Sequence, residues 1–204
     1  MVVSNAGNLA AHVGGIITFF KGAFSLLFGL ALAEAFKQFV RDKPQSTESV
    51  IDWHRLLSLL AFIFLIFPFY QGTIRFFDVE FGDPAKLPQP FSFAIMIDSF
   101  AFICEAALFF VMSRALAPER WITFYGAIVA LLWVDSVWGL IAAKLHAGGI
   151  ESWIYLNLIF GAIVAVMLAL QARLKGYWPV GLGAAAILIR TILDYYFNWS
   201  FYFP

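Results

Sequence analysis

Four acids and one arginine lie inside stretches that are otherwise apolar, Asp98, Glu105, Asp135 and Asp194 with Arg190, and a second arginine, Arg75, lies close to the outer surface. Arg190, Asp194 and Asn198 are spaced by four, which stacks them along one face of a helix. Asp98 and Glu105, seven apart, share a face of another. An ionised side chain at the centre of a bilayer costs about 2.5–3.5 kcal/mol on insertion scales, so each of these groups needs a partner. Pairing alone would simply bind helices together. Two arginines cannot neutralise four acids, however, and a carboxylate without a partner in a low dielectric tends to take up a proton. The chemistry on offer is proton or cation binding. The candidate network is Arg75, Asp98, Glu105, Asp135, Arg190, Asp194 and Asn198.

Arg190 makes the strongest demand. Its guanidinium stays protonated because its pKa exceeds about 12. Asp194, one turn on, offers one carboxylate, which cannot satisfy five donors in a planar fork. The sequence therefore predicts a second acid on Arg190, either Glu105 or Asp135, from a facing helix. Glu105, near mid-depth, is expected to be protonated or paired, not a free anion.

The elements that hold these residues follow from composition. Of the 204 residues, 62% are hydrophobic and 13% charged, against about 25% charged in a soluble domain. The reading is an all-α, polytopic integral membrane protein with about six transmembrane helices in one bundle. Residues 1–204 form a single transmembrane domain, with crossings at approximately 16–36, 56–74, 91–112, 122–143, 154–170 and 178–197. Residues 1–15 are small, uncharged apart from His12, and read as a tail or short interfacial segment. They hold no Lys or Arg, so the basic region of a cleavable signal peptide is not expected. Pro44 with a polar run marks one loop, and the run from Asp78 to Pro90, with three prolines, marks another. Pro68 falls inside the second crossing, where a kink is expected.

Six crossings divide the basic residues eight to five. Lys37, Arg41, Lys43, Arg55, Arg114, Arg120, Arg173 and Lys175 fall on one side. Lys21, Arg75, Lys86, Lys144 and Arg190 fall on the other side or in that half of a helix. The richer side is cytoplasmic by the positive-inside bias, so both termini face outward. Trp53, Trp121, Trp153, Trp178 and Trp199, with Tyr70, Tyr177, Tyr195, Tyr196 and Tyr202, fall near helix ends and read as an aromatic belt without a catalytic role. Lys21 and Glu34 are expected to snorkel, and Asp52 with Arg55 to form a solvated first turn.

Several classes are set aside. Equal numbers of acids and bases, 13 each, offer nothing to nucleic acid. Cys104 is the one cysteine, so no intrachain disulfide and no cysteine metal pattern is available. His12, His54 and His146 are the only histidines. His54 and His146 belong on opposite sides, so no facing pair exists for a haem. Motifs for zinc proteases, serine hydrolases and nucleotide binding are absent. No catalytic residue, cofactor site or metal site is expected. The expected partners are the lipid bilayer and either further copies of the chain or the other subunits of a membrane complex. The location is the cell membrane, multi-pass. The favoured function is transport, a channel, or a proton- or cation-linked role. The alternatives are a non-transporting anchor, sensor or assembly subunit, and a lipid-active membrane enzyme.

Overall fold

Inside hydrocarbon every backbone N–H and C=O must find its partner within the protein, and long apolar segments answer by coiling into helices. The computed structural model describes residues 2–41, 52–82, 91–146, 151–170 and 178–204. Six long helices run in chain order: α1 (Val2–Arg41), α2 (Trp53–Phe81), α3 (Phe91–Arg114), α4 (Trp121–Leu145), α5 (Glu151–Ala169) and α6 (Trp178–Phe197). A single turn, α7 (Trp199–Tyr202), follows, and a 3₁₀ turn at Pro118–Arg120 leads into α4. Each of the six is long and apolar enough to cross a membrane. The described residues contain no strand. The all-α fold with about six spans is as read from the sequence.

Two boundaries move. Residues 2–15 are not a tail: α1 reaches back to Val2, because no proline interrupts the run and Gly14 and Gly15 are tolerated within it. At 40 residues and 1.5 Å each, α1 is about 60 Å long, twice a hydrocarbon core of about 30 Å. The loop expected from Asp78 onward also begins later. Helix α2 continues through Asp78, Val79, Glu80 and Phe81, and Gly82 closes it by donating to the Asp78 carbonyl at 3.1 Å. Asp52 caps its start, accepting from the Arg55 amide at 3.3 Å.

The helices close into a ring, in the spatial order α1, α2, α6, α5, α4, α3 and back to α1, with α2 and α3 also touching across it. Its packing is aromatic: Trp138 meets Phe102 and Phe76 with ring centres 4.9 and 5.0 Å apart. Helices α4 and α5 approach closely at Gly161, where a Cβ would come 2.7 Å from Trp133 Nε1. Pro68 lacks the N–H that would satisfy the Phe64 carbonyl one turn back. Thr191 of α6 supplies the missing donor instead, its hydroxyl reaching Phe64 O at 2.8 Å.

The outside of the ring is apolar. Phe19, Phe100 and Tyr155 are 70%, 67% and 65% exposed, as side chains bathed in lipid are. The chain is a multi-pass membrane protein. The buried charge gathers toward one end of the ring, where α2, α4 and α6 finish and α7 lies: Asp98, Glu105, Arg190 and Asp194 are each at most 2% exposed.

Candidate functional site

Arg190, on α6, takes its first partner from its own helix. Its Nη1 donates to Asp194 Oδ2 at 2.7 Å. The second partner is not the acid expected from the sequence. Nε and Nη2 both donate to Asn157 Oδ1 of α5, at 3.2 and 2.8 Å. The amide Nδ2 of Asn157 turns the other way and donates to Asp135 Oδ2 of α4. An amide has an acceptor end and a donor end, so one side chain can face a cation and an anion at once. Asp135 therefore reaches Arg190 through a neutral relay. The Phe69 ring covers the guanidinium at 5.1 Å.

Asp194 is surrounded by donors. Besides Arg190 it accepts from Trp153 Nε1 at 2.7 Å, Asn198 Nδ2 at 2.9 Å, and the Tyr202 hydroxyl at 3.2 Å to each oxygen. Asn198 in turn accepts from the Ser152 hydroxyl at 2.6 Å. Three elements, α5, α6 and α7, are thus tied at one carboxylate. Trp153 and Tyr202 depart from the belt reading: their polar atoms point into the ring, while Trp178 and Tyr196, each 73% exposed, stay outward.

Glu105, on α3, is the counter-case. The Asp135 carboxyl of α4 is its acidic neighbour, and its Oε1 is buried without any hydrogen-bond partner. Both acids line a cavity of about 40 Å³, walled also by Thr73, Arg190, Asp194, Tyr202 and the rings of Phe69, Phe76, Phe102, Trp138 and Trp153. A water needs about 10–15 Å³ measured this way, so the cavity has room for one to a few.

Two members of the expected network stand apart. Asp98 accepts from Trp138 Nε1 at 2.9 Å and contacts His146 Nε2 at 3.0 Å. Glu80 sits 3.1 Å from the other ring nitrogen of His146 without the alignment of a hydrogen bond. Burial alone would pull the His146 pKa down; the Asp98 and Glu80 carboxylates outweigh it and hold the imidazole up at about 9. Because the two acids take opposite nitrogens, this cluster is built around a proton. Trp138 divides it from the cavity, with its N–H on Asp98 and its ring in the cavity wall. Arg75 is used otherwise: its Nε donates to the Phe201 carbonyl at 3.0 Å.

The structure thus unites Glu105, Asp135, Arg190, Asp194 and Asn198, and places Asp98 and Arg75 in separate contacts. The site also needs residues that reading the sequence leaves aside: Asn157, Trp153, Tyr202, Trp138, His146 and Glu80. Asn157 carries a signal, as the one strongly polar residue in its crossing. Tyr202 carries none, since only the fold-back of α7 brings it to Asp194.

Fold and site together define a class: a multi-pass α-helical membrane protein with a hydrogen-bonded ionic cluster inside its helix ring. Comparison with known proteins finds no matching family model, curated protein or solved structure.

Proposed function

We propose that this protein has an ion-linked transport or permeation role, and that the ion's path passes through the cavity beside Glu105. One observation carries the reading. Glu105 is 1% exposed, one of its carboxyl oxygens is buried with no hydrogen-bond partner, and the side chain lines a water-sized space. Structural glue accounts for Arg190, Asp194 and Asn157, whose charges and hydrogen bonds close on one another. It does not account for an unsatisfied carboxyl oxygen, which costs about 1–3 kcal/mol to leave unpaired and is retained where it has a use. The cavity is too small for an organic substrate, which weighs against a lipid enzyme. The protein works in the cell membrane with the α7 end outside, as a homo-oligomer or within a membrane complex.

The test is flux. Purified protein in liposomes should pass protons or cations down an imposed gradient, and Glu105→Gln should abolish this while leaving the fold intact. Silence of the wild type under every gradient of pH and voltage would favour the anchor or assembly-subunit reading. A C-terminal reporter active only in the cytoplasm would overturn the orientation.

A further inference from the structure

We infer that the ion is the proton, and that the Glu105–Asp135 carboxyl pair is its binding site, loaded from water in the cavity. This deepens the ion-linked reading above and rests on it for its role, though not for its existence.

The wall of the cavity decides between a proton and a metal cation. A dehydrated metal ion needs several oxygen ligands converging on one point; hard cations such as calcium take about 6–8. Here most oxygens are already spoken for. Those of Asp194 accept from Arg190, Trp153, Asn198 and Tyr202, and Asp135 Oδ2 accepts from Asn157. Among the fully buried side-chain oxygens of the cavity wall, Glu105 Oε1 is without a partner. The Arg190 guanidinium, a fixed positive charge, also lines the space. Few open acceptors beside a fixed cation make a poor metal site and a good proton site.

The pair itself has the needed chemistry. Glu105 and Asp135 come from adjacent helices of the ring, α3 and α4, and line the same cavity as neighbours. Two carboxylates offer only acceptors, so neighbouring acids in a buried site can bond to each other only when one of them holds a proton. The pair holds one proton and one negative charge, opposite the Arg190–Asp194 pair, which is neutral. Loading is then a simple transfer. A hydronium in the cavity gives its proton to the Glu105 carboxyl, an O–H bond forms there as one breaks on the hydronium, and water remains. The pair passes from charge −1 to 0, and unloading is the reverse. The charged and titratable groups that face it are Arg190 and Asp194 of α6 and Tyr202 of α7. Cys104 adjoins on its own helix. Asn157 of α5 and Thr73 of α2 add neutral contacts.

Infrared spectroscopy of the full protein in lipid tests this directly. At neutral pH the wild type should show a protonated-carboxyl C=O band that shifts on exchange into D₂O. The band should be lost in Glu105→Gln and in Asp135→Asn, each judged folded by its helical circular dichroism. No such band in the wild type, or one that survives both substitutions, would overturn the proposal. So would a band that disappears at constant pH when sodium or potassium replaces choline, because the ion is then a metal cation and the ion-linked reading survives. The band without liposome flux leaves the proton site standing and removes the transport reading. If neither variant folds, the wild-type spectrum decides alone: the exchangeable band supports the site, and its absence overturns it.

Discussion

Asp194 and Glu105 are buried to the same degree, 1% exposed each, and line the same cavity, yet they live in opposite company. Four side chains donate to Asp194, one of them a cation. Glu105 has a second carboxyl for a neighbour and one oxygen with no partner. Burial therefore does not distinguish the two acids in this ring; the supply of donors does. Asp194 is where the ends of α5, α6 and α7 are fastened. Glu105 is where the fold leaves capacity unused.

The comparison breaks most visibly at its cation. Arg190→Leu would strand Asp194 without its charge partner, at an expected cost of about 3–5 kcal/mol. Adding Asp194→Leu should return part of that loss. Thermal unfolding of the single and double variants in detergent measures both, and an Arg190→Leu protein as stable as wild type would mean that Asp194 does not depend on its cation. A smaller effect is expected from Asn157→Leu, which removes an acceptor from two Arg190 donors and the donor from Asp135. Hydrogen bonds to charged groups are worth about 1.5–3 kcal/mol, and the same unfolding assay should show a loss of that order.

The third test uses pH, with the Asp98 cluster as a control outside the Asp194 network. His146 is held at about 9 against an ordinary 6.5. Its folded pKa lies above its unfolded one, so its stabilisation is complete below about pH 6.5 and disappears as pH rises through about 9. The unfolding temperature should fall across that interval, and His146→Gln should flatten the fall. An unchanged slope in the variant would place the titration elsewhere. The least destabilisation belongs to Glu105→Gln, which keeps the shape of a neutral acid and should cost less than about 1 kcal/mol. If this variant unfolds readily, Glu105 is an ionised structural partner and the contrast with Asp194 collapses.

Much of this is legible in the sequence. The run from Trp178 to Phe197 is α6 residue for residue, because a long apolar stretch opening on Trp-Pro leaves little freedom in its ends. The Arg190–Asp194 pair follows from a spacing of four. What sequence conveys poorly in a membrane bundle is direction around the helix axis. Hydropathy sets a residue's height, so Asp98 and Glu105 read as one cluster, but Trp138 stands between their surroundings. An aromatic residue near a helix end has the same address whether it turns toward lipid, as Trp178 does, or inward, as Trp153 and Tyr202 do. Counting charges points Arg190 toward a second acid; an amide that relays between charges, as Asn157 does, adds nothing to such a count.

Helix α7 is held to α2 chiefly through its main chain. Arg75 takes the carbonyl of Phe201 at 3.0 Å and Gln71 that of Tyr202 at 3.4 Å. Tyr195 steadies Gln71 by donating to its Oε1 at 3.1 Å. Every residue type has a carbonyl, so the information that positions this turn is written in α2 and α6, not in the turn itself. Two side chains of the turn are the exceptions, asked for by type: Tyr202, whose hydroxyl reaches Asp194, and Phe201, whose ring packs on Trp153 of α5 with centres 4.6 Å apart. Among natural variants of this chain, the exposed positions Trp199 and Ser200 would be free to drift while Gln71, Arg75, Tyr195 and an aromatic residue at Phe201 stayed. The turn would keep its place with its exposed positions rewritten.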